Sequence, residues 1–302
     1  MTAPRTARLF LTMLFAFVVT TYVAAATSSY VCPMHPGIRS DRPGLCQTCG
    51  MTLVNTTSVI PGRHGLDVQW VAGAPRAGES ARLRLSVERP VTHERVAAFE
   101  DVHERPFHLF VVSWDLEDYA HVHPVLQPDG SMEVATVLPR SGAYQLFADF
   151  LPASGFPQVL QQSVFTEGVS PISAAASRAR AHAIDREVRE GVDRGLRIRI
   201  EPARLVAGRM EVVTATFEDA ATGEPLADLE PYLGAWGHAL IVSADLADAV
   251  HSHPVTPLTS PGGPRIFFSQ RFPRPGYYRM WMQVQRKGEV ATVPFTLQVE
   301  PS

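Results

Sequence analysis

An internal repeat limits this chain of 302 residues to a duplicated architecture. Residues 107–124 (FHLFVVSWDLEDYAHVHP) align without gaps on residues 237–254 (GHALIVSADLADAVHSHP), at an offset of 130. A second block, 138–144 (LPRSGAY), matches 272–278 (FPRPGYY) at an offset of 134, and a longer loop near Pro261 accounts for the difference. A repeated unit of roughly a hundred residues predicts two like domains.

Each repeat has the pattern of short β-strands. Residues 82–88 alternate, with Leu83, Leu85 and Val87 on one face, and residues 196–200 and 293–299 do the same. The 25 prolines and 21 glycines separate these strands with turns. We expect an all-β protein with two antiparallel β-sandwiches of immunoglobulin-like or cupredoxin-like architecture. They would span residues 60–168 and 196–300, with a linker over 169–195 in which residues 173–190 are helical.

The first 26 residues have the pattern of an export signal. Arg5 and Arg8 precede an apolar run over residues 9–23, and three alanines follow at 24–26. This pattern predicts a signal peptide cut after Ala26, with an uncleaved membrane anchor as the alternative. Either one places the rest of the chain in the periplasm or elsewhere outside the cytoplasm, where free thiols oxidise unless a metal holds them.

All three cysteines lie within eighteen residues and, together with one histidine, have the spacing of a metal site. The spacing is C-x2-H followed by C-x2-C, and the predicted ligands are Cys32, His35, Cys46 and Cys49. A module of residues 27–56 is too short to bury a core, so a metal would supply most of its folding energy. Met34 and Met51 add soft thioethers, which favours copper(I) or silver as well as zinc. The alternative is one disulfide and a spare thiol.

Residues 31–54 also resemble a known family. With CPMHP, RPG, C-x2-CGM and a trailing Leu-Val, they are similar to the heavy-metal-binding domain. That module precedes some copper-transporting P-type ATPases and the periplasmic adaptor subunits of copper and silver efflux pumps. The resemblance implies heavy-metal handling and a metal-efflux or P-type ATPase system as partner. It does not imply an ATPase, since the chain has no Walker motif, phosphorylation loop or multi-helix membrane domain.

Six of the eleven histidines occupy repeated positions: His108 with His238, His121 with His251, and His123 with His253. In H-x-H on a strand both rings project from one face, so two imidazoles can share an ion and a neighbouring strand can supply a third. We expect the first sandwich to bind an ion through its three histidines and the second sandwich to do so more weakly. His103 is a further candidate in the first copy only. The alternative is that the repeated histidines hydrogen-bond a loop that both copies need.

These features predict an exported, non-enzymatic protein that sequesters or delivers copper, silver or zinc in the cell envelope. A net charge of −3 with 19% charged residues gives no basis for a nucleic-acid partner. Two other classes stay open. One is a copper-dependent oxidoreductase resembling the copper monooxygenases, which place histidine-bound coppers on two consecutive β-sandwiches. The other is a structural adaptor of a metal efflux complex, although the long coiled-coil hairpin expected of such an adaptor is absent.

Overall fold

The computed structural model describes residues 30–31, 38–44, 53–55, 63–153, 155–201 and 204–302. Strands dominate these residues, which confirms the all-β prediction. The elements are β1 (Tyr30–Val31), β2 (Arg39–Ser40), β3 (Val54–Asn55), β4 (Gly65–Trp70), β5 (Ser80–Glu88), β6 (Phe99–Glu100), β7 (Phe107–Ser113), β8 (Tyr119–Val122), β9 (Val125–Leu126), β10 (Met132–Val137), β11 (Ala143–Pro152), β12 (Gln158–Phe165), α1 (Pro171–His182), β13 (Glu190–Asp193), β14 (Leu196–Glu201), β15 (Leu205–Val206), β16 (Met210–Asp219), β17 (His238–Ser243), β18 (Ala249–Ser252), β19 (Arg265–Arg271), β20 (Gly276–Arg286) and β21 (Glu289–Glu300). Within these ranges no helix is long and apolar enough to cross a membrane.

The N-terminal module contributes a small antiparallel sheet in the order β2-β1-β3. The four ligands predicted for this module, Cys32, His35, Cys46 and Cys49, lie outside the residues that the structure describes. The predicted export signal over residues 1–26 lies outside them as well.

Each repeat forms a sandwich of two sheets. In the first, the sheet β4-β5-β10-β9 packs on the sheet β12-β11-β7-β8, with β6 paired to β11. In the second, β13-β14-β16-β19 packs on β15-β21-β20-β17-β18. The alternation in β5 has the predicted effect, since Leu83, Leu85 and Val87 are all buried in the first core. Met280 and Met282 are fully buried in the second core, so they are packing residues.

The predicted helix between the repeats is shorter than expected. It begins after the N-cap Ser170, whose side chain accepts from the Ser173 amide, and it ends at His182 rather than near residue 190. The segment that follows uses its backbone for strand pairing, because Val188 exchanges two hydrogen bonds with Thr296 of β21. Residues 190–193, which we assigned to the linker, form β13 and pair with β14 in the second sandwich.

The strands β7 and β17 are buried on both faces, which explains why their sequences are nearly continuous apolar runs. Alternate residues of β7 face the first core, and the others face the second sandwich. The same division holds for β17. Together they build an interface core between the sandwiches, formed by Phe110, Val112, Leu116, Phe147, Ala181, Leu240, Val242, Leu246 and Trp281. The two repeats are therefore joined by a third hydrophobic core.

A repeated turn of the DLxD type leads from each of these strands into the strand that carries the paired histidines. In the first copy, the Asp115 carboxylate accepts from the Ser113 hydroxyl at 2.6 Å and from Arg140 at 3.0 Å. Tyr144 donates to Asp118 at 2.9 Å. Burial raises the pKa of the Asp115 carboxyl, but hydrogen bonds from Arg140, Ser113 and Arg180 outweigh it and bring that pKa to about 2. Asp115 and Asp118 thus hold the turn, as do Asp245 and Asp248 beside Arg274 in the second copy.

We expect Asp115→Asn to lower the free energy of unfolding by about 1–3 kcal/mol at pH 7, since it removes a buried charge-assisted network. The folded pKa lies below the ordinary value of 3.8, so the carboxylate stabilises the fold above pH 4. This contribution should vanish as the pH falls toward 2. Urea unfolding at pH 7 and pH 3 checks it, with the exposed Asp101→Asn as control. A gap between wild type and Asp115→Asn that stays constant over this range would contradict the assignment.

Candidate metal centre

Seven imidazoles meet where the two sandwiches face each other. We call them the histidine cluster: His103, His108, His121, His123, His238, His251 and His253. The strands β7 and β17 supply His108 and His238, and β8 and β18 supply His121 and His251. The second histidine of each H-x-H directly follows its strand. Ring centroids from different sandwiches lie 3.5 Å apart for His103 and His253 and 4.9 Å apart for His108 and His251.

The histidines do not group by sandwich as we expected. Nitrogen atoms of His108, His121 and His251 lie within 4.8 Å of one another, and these residues form the central group. Nitrogen atoms of His103, His238 and His253 meet the same criterion and form the lateral group. Each group mixes residues of both sandwiches, because the repeated histidines sit on the outward faces of the two sheets that pack together. The fold therefore does not provide two separate sites with one inside each sandwich.

His123 belongs to neither group, although the sequence predicts it as a ligand. Its ring centroid lies 5.0 Å from that of His108 and 4.6 Å from that of His121. Its Nε2 atom is buried and has no hydrogen-bond partner. His123 thus lines the edge of the central group.

Backbone carbonyls fix the proton on two of the rings. His108 Nε2 lies 2.9 Å from the carbonyl oxygen of Val102, and His238 Nε2 lies 2.9 Å from that of Tyr232. A carbonyl oxygen can only accept, so each Nε2 must carry the hydrogen and each Nδ1 keeps its lone pair. Both carbonyls lie six residues before their histidine, so the repeat preserves this arrangement.

Side chains fix the proton on the next two rings, and they reach across the interface. His121 Nδ1 donates to Gln283 Oε1 of the second sandwich at 2.8 Å. His251 Nδ1 donates to Asp149 Oδ2 of the first sandwich at 2.6 Å. Asp149 and Gln283 occupy matching positions of β11 and β20 at the offset of 134, opposite His108 and His238. Each sandwich therefore orients an imidazole of the other, as partners of metal-bound histidines usually do.

As a result, lone pairs face each other at the middle of the cluster. His108 Nδ1 and His121 Nε2 are 3.0 Å apart, and His238 Nδ1 and His251 Nε2 are 3.2 Å apart. In each of these four rings the hydrogen lies on the other nitrogen. Two such lone pairs repel unless a cation binds at least one of them. Zinc–nitrogen bonds of 2.0–2.1 Å in a tetrahedron place two ligand nitrogens about 3.3–3.4 Å apart, close to the spacing found here.

A proton does not fill this role at neutral pH. Burial and the neighbouring imidazoles hold the pKa values of His121, His238, His251 and His253 well below the ordinary 6.5. Burial, with His108 next, lowers the pKa of His103 and of His123 to about 4. The cluster is therefore a set of neutral imidazoles, which is the form that binds metals.

One carboxylate accompanies these neutral rings. Burial raises the pKa of Asp149 to about 6, although His108 and His103 oppose the shift. At pH 7 Asp149 is therefore mainly ionised and accepts from His251. Its counterpart Gln283 is neutral, so the two halves of the cluster differ in charge.

The donor set selects a class of ion. Imidazole nitrogens suit zinc, copper, nickel or iron, whereas calcium and magnesium prefer oxygen donors. His103, His121 and His123 are partly exposed, whereas the other four rings are buried. The cluster is thus closed on the side of the second sandwich and reachable from the side of the first.

Sequence reasoning named His103 only as a further candidate in the first copy, and it missed Asp149 and Gln283, which complete the cluster from outside the first repeat block. His103 lies on a turn that aligns with Leu233, so the repeat gives it no signal. Asp149 and Gln283 match only through the second block and differ in residue type. The signal that could have found Asp149 is a single acidic residue within an otherwise apolar strand, since a buried charge needs a partner.

Two comparisons with known proteins give little on function. No curated protein matches the chain. Among solved structures, the Escherichia coli adhesin FdeC is 13% identical, with 83% of this chain and 70% of that chain covered and a TM-score of 0.25. The Yersinia pseudotuberculosis adhesin InvE is 11% identical, covers 77% and 58%, and has a TM-score of 0.23. A segment of two fibronectin type III domains from chicken tenascin is 13% identical, covers 77% and 97%, and has a TM-score of 0.22. Likeness at this level carries no conclusion on what the chain binds.

Comparison with protein families is more informative. Residues 29–56 match the Heavy metal binding domain, which supports metal ions as the partners of the N-terminal module. Residues 59–165 and 190–301, one stretch in each sandwich, match the Domain of unknown function (DUF8832). These two stretches cover most of the chain, which therefore belongs to the DUF8832 family.

Proposed function

We propose that this protein is an exported, non-enzymatic heavy-metal-binding protein that sequesters or delivers copper, silver or zinc in the cell envelope. The observation that carries the proposal is the 3.0 Å distance between His108 Nδ1 and His121 Nε2. Each of these nitrogens carries a lone pair that faces the other. A bound cation would turn this repulsion into two bonds. The N-terminal pattern of an export signal supports the location in the envelope.

The chain would then hold metal at two kinds of site. The N-terminal module offers soft thiolates at Cys32, Cys46 and Cys49 together with His35, and the histidine cluster offers only borderline nitrogens. Such a pair of sites suits transfer, because the module can capture an ion that the cluster then buries. A metal-efflux or P-type ATPase system of the envelope is the proposed recipient.

Metal content of the purified chain tests the binding part of the proposal. We expect Cys46→Ser to lose the ion of the module and His121→Ala with His251→Ala to lose the ion of the central group. The matched control is His93→Ala with His182→Ala, two exposed histidines outside the cluster. Metal is measured by elemental analysis after loading with copper(I) or zinc under reducing conditions and gel filtration. Equal metal content in wild type and in a chain that combines Cys46→Ser with the two cluster substitutions would refute it.

Cell fractionation tests the location. An antibody against the chain should detect it in the envelope fraction of the native cell, with the mature mass if the signal is cleaved after Ala26. Recovery in the cytoplasm would contradict export while leaving metal binding intact.

A second candidate function is a copper-dependent oxidoreductase. Two adjacent groups of three imidazoles favour it, since redox copper is commonly held by histidine nitrogens. Oxygen consumption by the copper-loaded chain with ascorbate would support this function. A chain that retains copper but consumes no oxygen would support the binding function and not the oxidoreductase.

A further inference from the structure

We infer that the lateral group, His103, His238 and His253, binds a second ion beside the one in the central group. This inference rests on the proposed function, because it extends the same histidine cluster from one ion to two. The ion would be a borderline first-row metal such as zinc or copper, since the three donors are all imidazole nitrogens.

The first support is that the lateral group has donor nitrogens without hydrogen-bond partners, in a set that lies within 4.8 Å of one another. His238 Nδ1 keeps its lone pair because its Nε2 donates to the Tyr232 carbonyl oxygen. His103 Nε2 is buried without a partner, and so are both ring nitrogens of His253. His253 is only 6% exposed. A buried imidazole with no hydrogen bond at either nitrogen is unfavourable, and a metal ligand bond would remove the penalty at one of them.

The second support is the way the chain places His103. His103 and Glu104 have φ angles of 50° and 63°, and they form a tight turn closed by Val102 and Arg105. Positive φ is uncommon outside glycine, and histidine is among the residues that adopt it more readily. The turn holds the His103 ring stacked on His253 of the other sandwich, with centroids 3.5 Å apart and planes at 20°. The turn therefore delivers the one member of the lateral group that comes from the first sandwich.

The third support is an internal comparison between the two repeats. The equivalent turn of the second repeat has the same φ angles, 48° at Leu233 and 70° at Gly234, but it carries leucine where the first repeat carries histidine. Leu233 is buried and has no donor atom in its side chain. The matching lateral position, next to His108 and His123, consequently has two histidines rather than three. The centre is thus complete on one side only and would hold two ions rather than three.

The test counts zinc ions in the full chain with Cys46→Ser and Cys49→Ser, which removes two of the predicted thiolate ligands of the module. After equilibrium dialysis against zinc at neutral pH, we expect two ions per chain. Adding His103→Leu, which copies the residue of the second repeat, should leave one ion. Adding His103→Gln should also leave one, and this polar variant guards against a folding defect. The exposed His93→Leu is the matched control and should leave two.

The outcomes separate this inference from the proposed function. One ion in the parent chain, or two ions in both His103 variants, overturns the lateral site and keeps the central one. No ion in a folded parent chain overturns the proposed function of the histidine cluster and the lateral site with it. Two ions that fall to one in both variants support the assignment.

Discussion

Zinc should raise the thermal unfolding midpoint of this protein by about 10 °C, through ions that bind both sandwiches at once. A ligand at a thousand times its dissociation constant stabilises the native state by about 4 kcal/mol. For a chain of this size, each kcal/mol moves the midpoint by about 2–4 °C. The central group takes His108 and His121 from the first sandwich and His251 from the second, so the bound ion opposes their separation as well as their unfolding.

Calorimetry of the chain with Cys46→Ser and Cys49→Ser, with and without zinc, measures this effect on the sandwiches. His121→Ala with His251→Ala should reduce the shift, because only one nitrogen of the central group remains, and the part that persists is the part that the lateral group supplies. His93→Ala with His182→Ala should keep the full shift. The same rise in the cluster variant as in the control would show that zinc acts elsewhere on the chain.

Trp281→Ala should lower the free energy of unfolding by about 3–5 kcal/mol and also weaken zinc binding, although Trp281 is not a ligand. The indole is 2% exposed and packs in the interface core. It stacks on Tyr119 of the other sandwich, with ring centroids 5.0 Å apart and planes at 10°. Tyr119 lies two residues before His121. Trp281 lies two residues before Gln283, which is the hydrogen-bond partner of His121. Loss of this stack should loosen the alignment of the central group.

Urea unfolding and zinc titration of the same preparation measure the two effects. Phe267→Ala is the control, since Phe267 is 38% exposed and lies on β19 in the sheet that faces away from the interface. We expect it to change stability much less and to leave zinc affinity unchanged. Trp281→Phe should recover much of the stability and the binding. Wild-type zinc affinity in a folded Trp281→Ala chain would mean that the cluster does not depend on the interface core.

The sequence was sufficient to predict the two sandwiches, because alternation in strands such as β5 and the repeat at fixed offsets are local patterns. Duplication also marked six of the seven clustered histidines, and the seventh, His103, was a further candidate in the first copy only. The sequence did not predict how they group, because grouping depends on which sheet faces which, and no local pattern encodes that. One clue was present: residues 109–112 and 239–242 are apolar without alternation, as strands buried on both faces are.

The repeat also explains why large aromatic residues differ between the copies. The change from Tyr119 in the first copy to Ala249 in the second is one example. In the structure, Tyr119 covers Trp281, whereas its counterpart Ala249 joins the interface core in which Phe147 stands at the position matching Trp281. The first copy thus has the larger Tyr119 where the second has Ala249, and the second has the larger Trp281 where the first has Phe147.

The exchange of Asp149 and Gln283 has a consequence for how the protein can change. His121 of the first repeat contacts Gln283 of the second, and the matching His251 of the second contacts Asp149 of the first. Such reciprocal contacts are those of an isologous homodimer, here with both subunits on one chain. In a true homodimer, every substitution appears on both sides of the axis, so a carboxylate or a leucine could not be confined to one of them. Covalent fusion removes this constraint. It lets Asp149 charge one half of the centre and lets His103 supply a donor on one side, while Gln283 and Leu233 keep the other half neutral and closed.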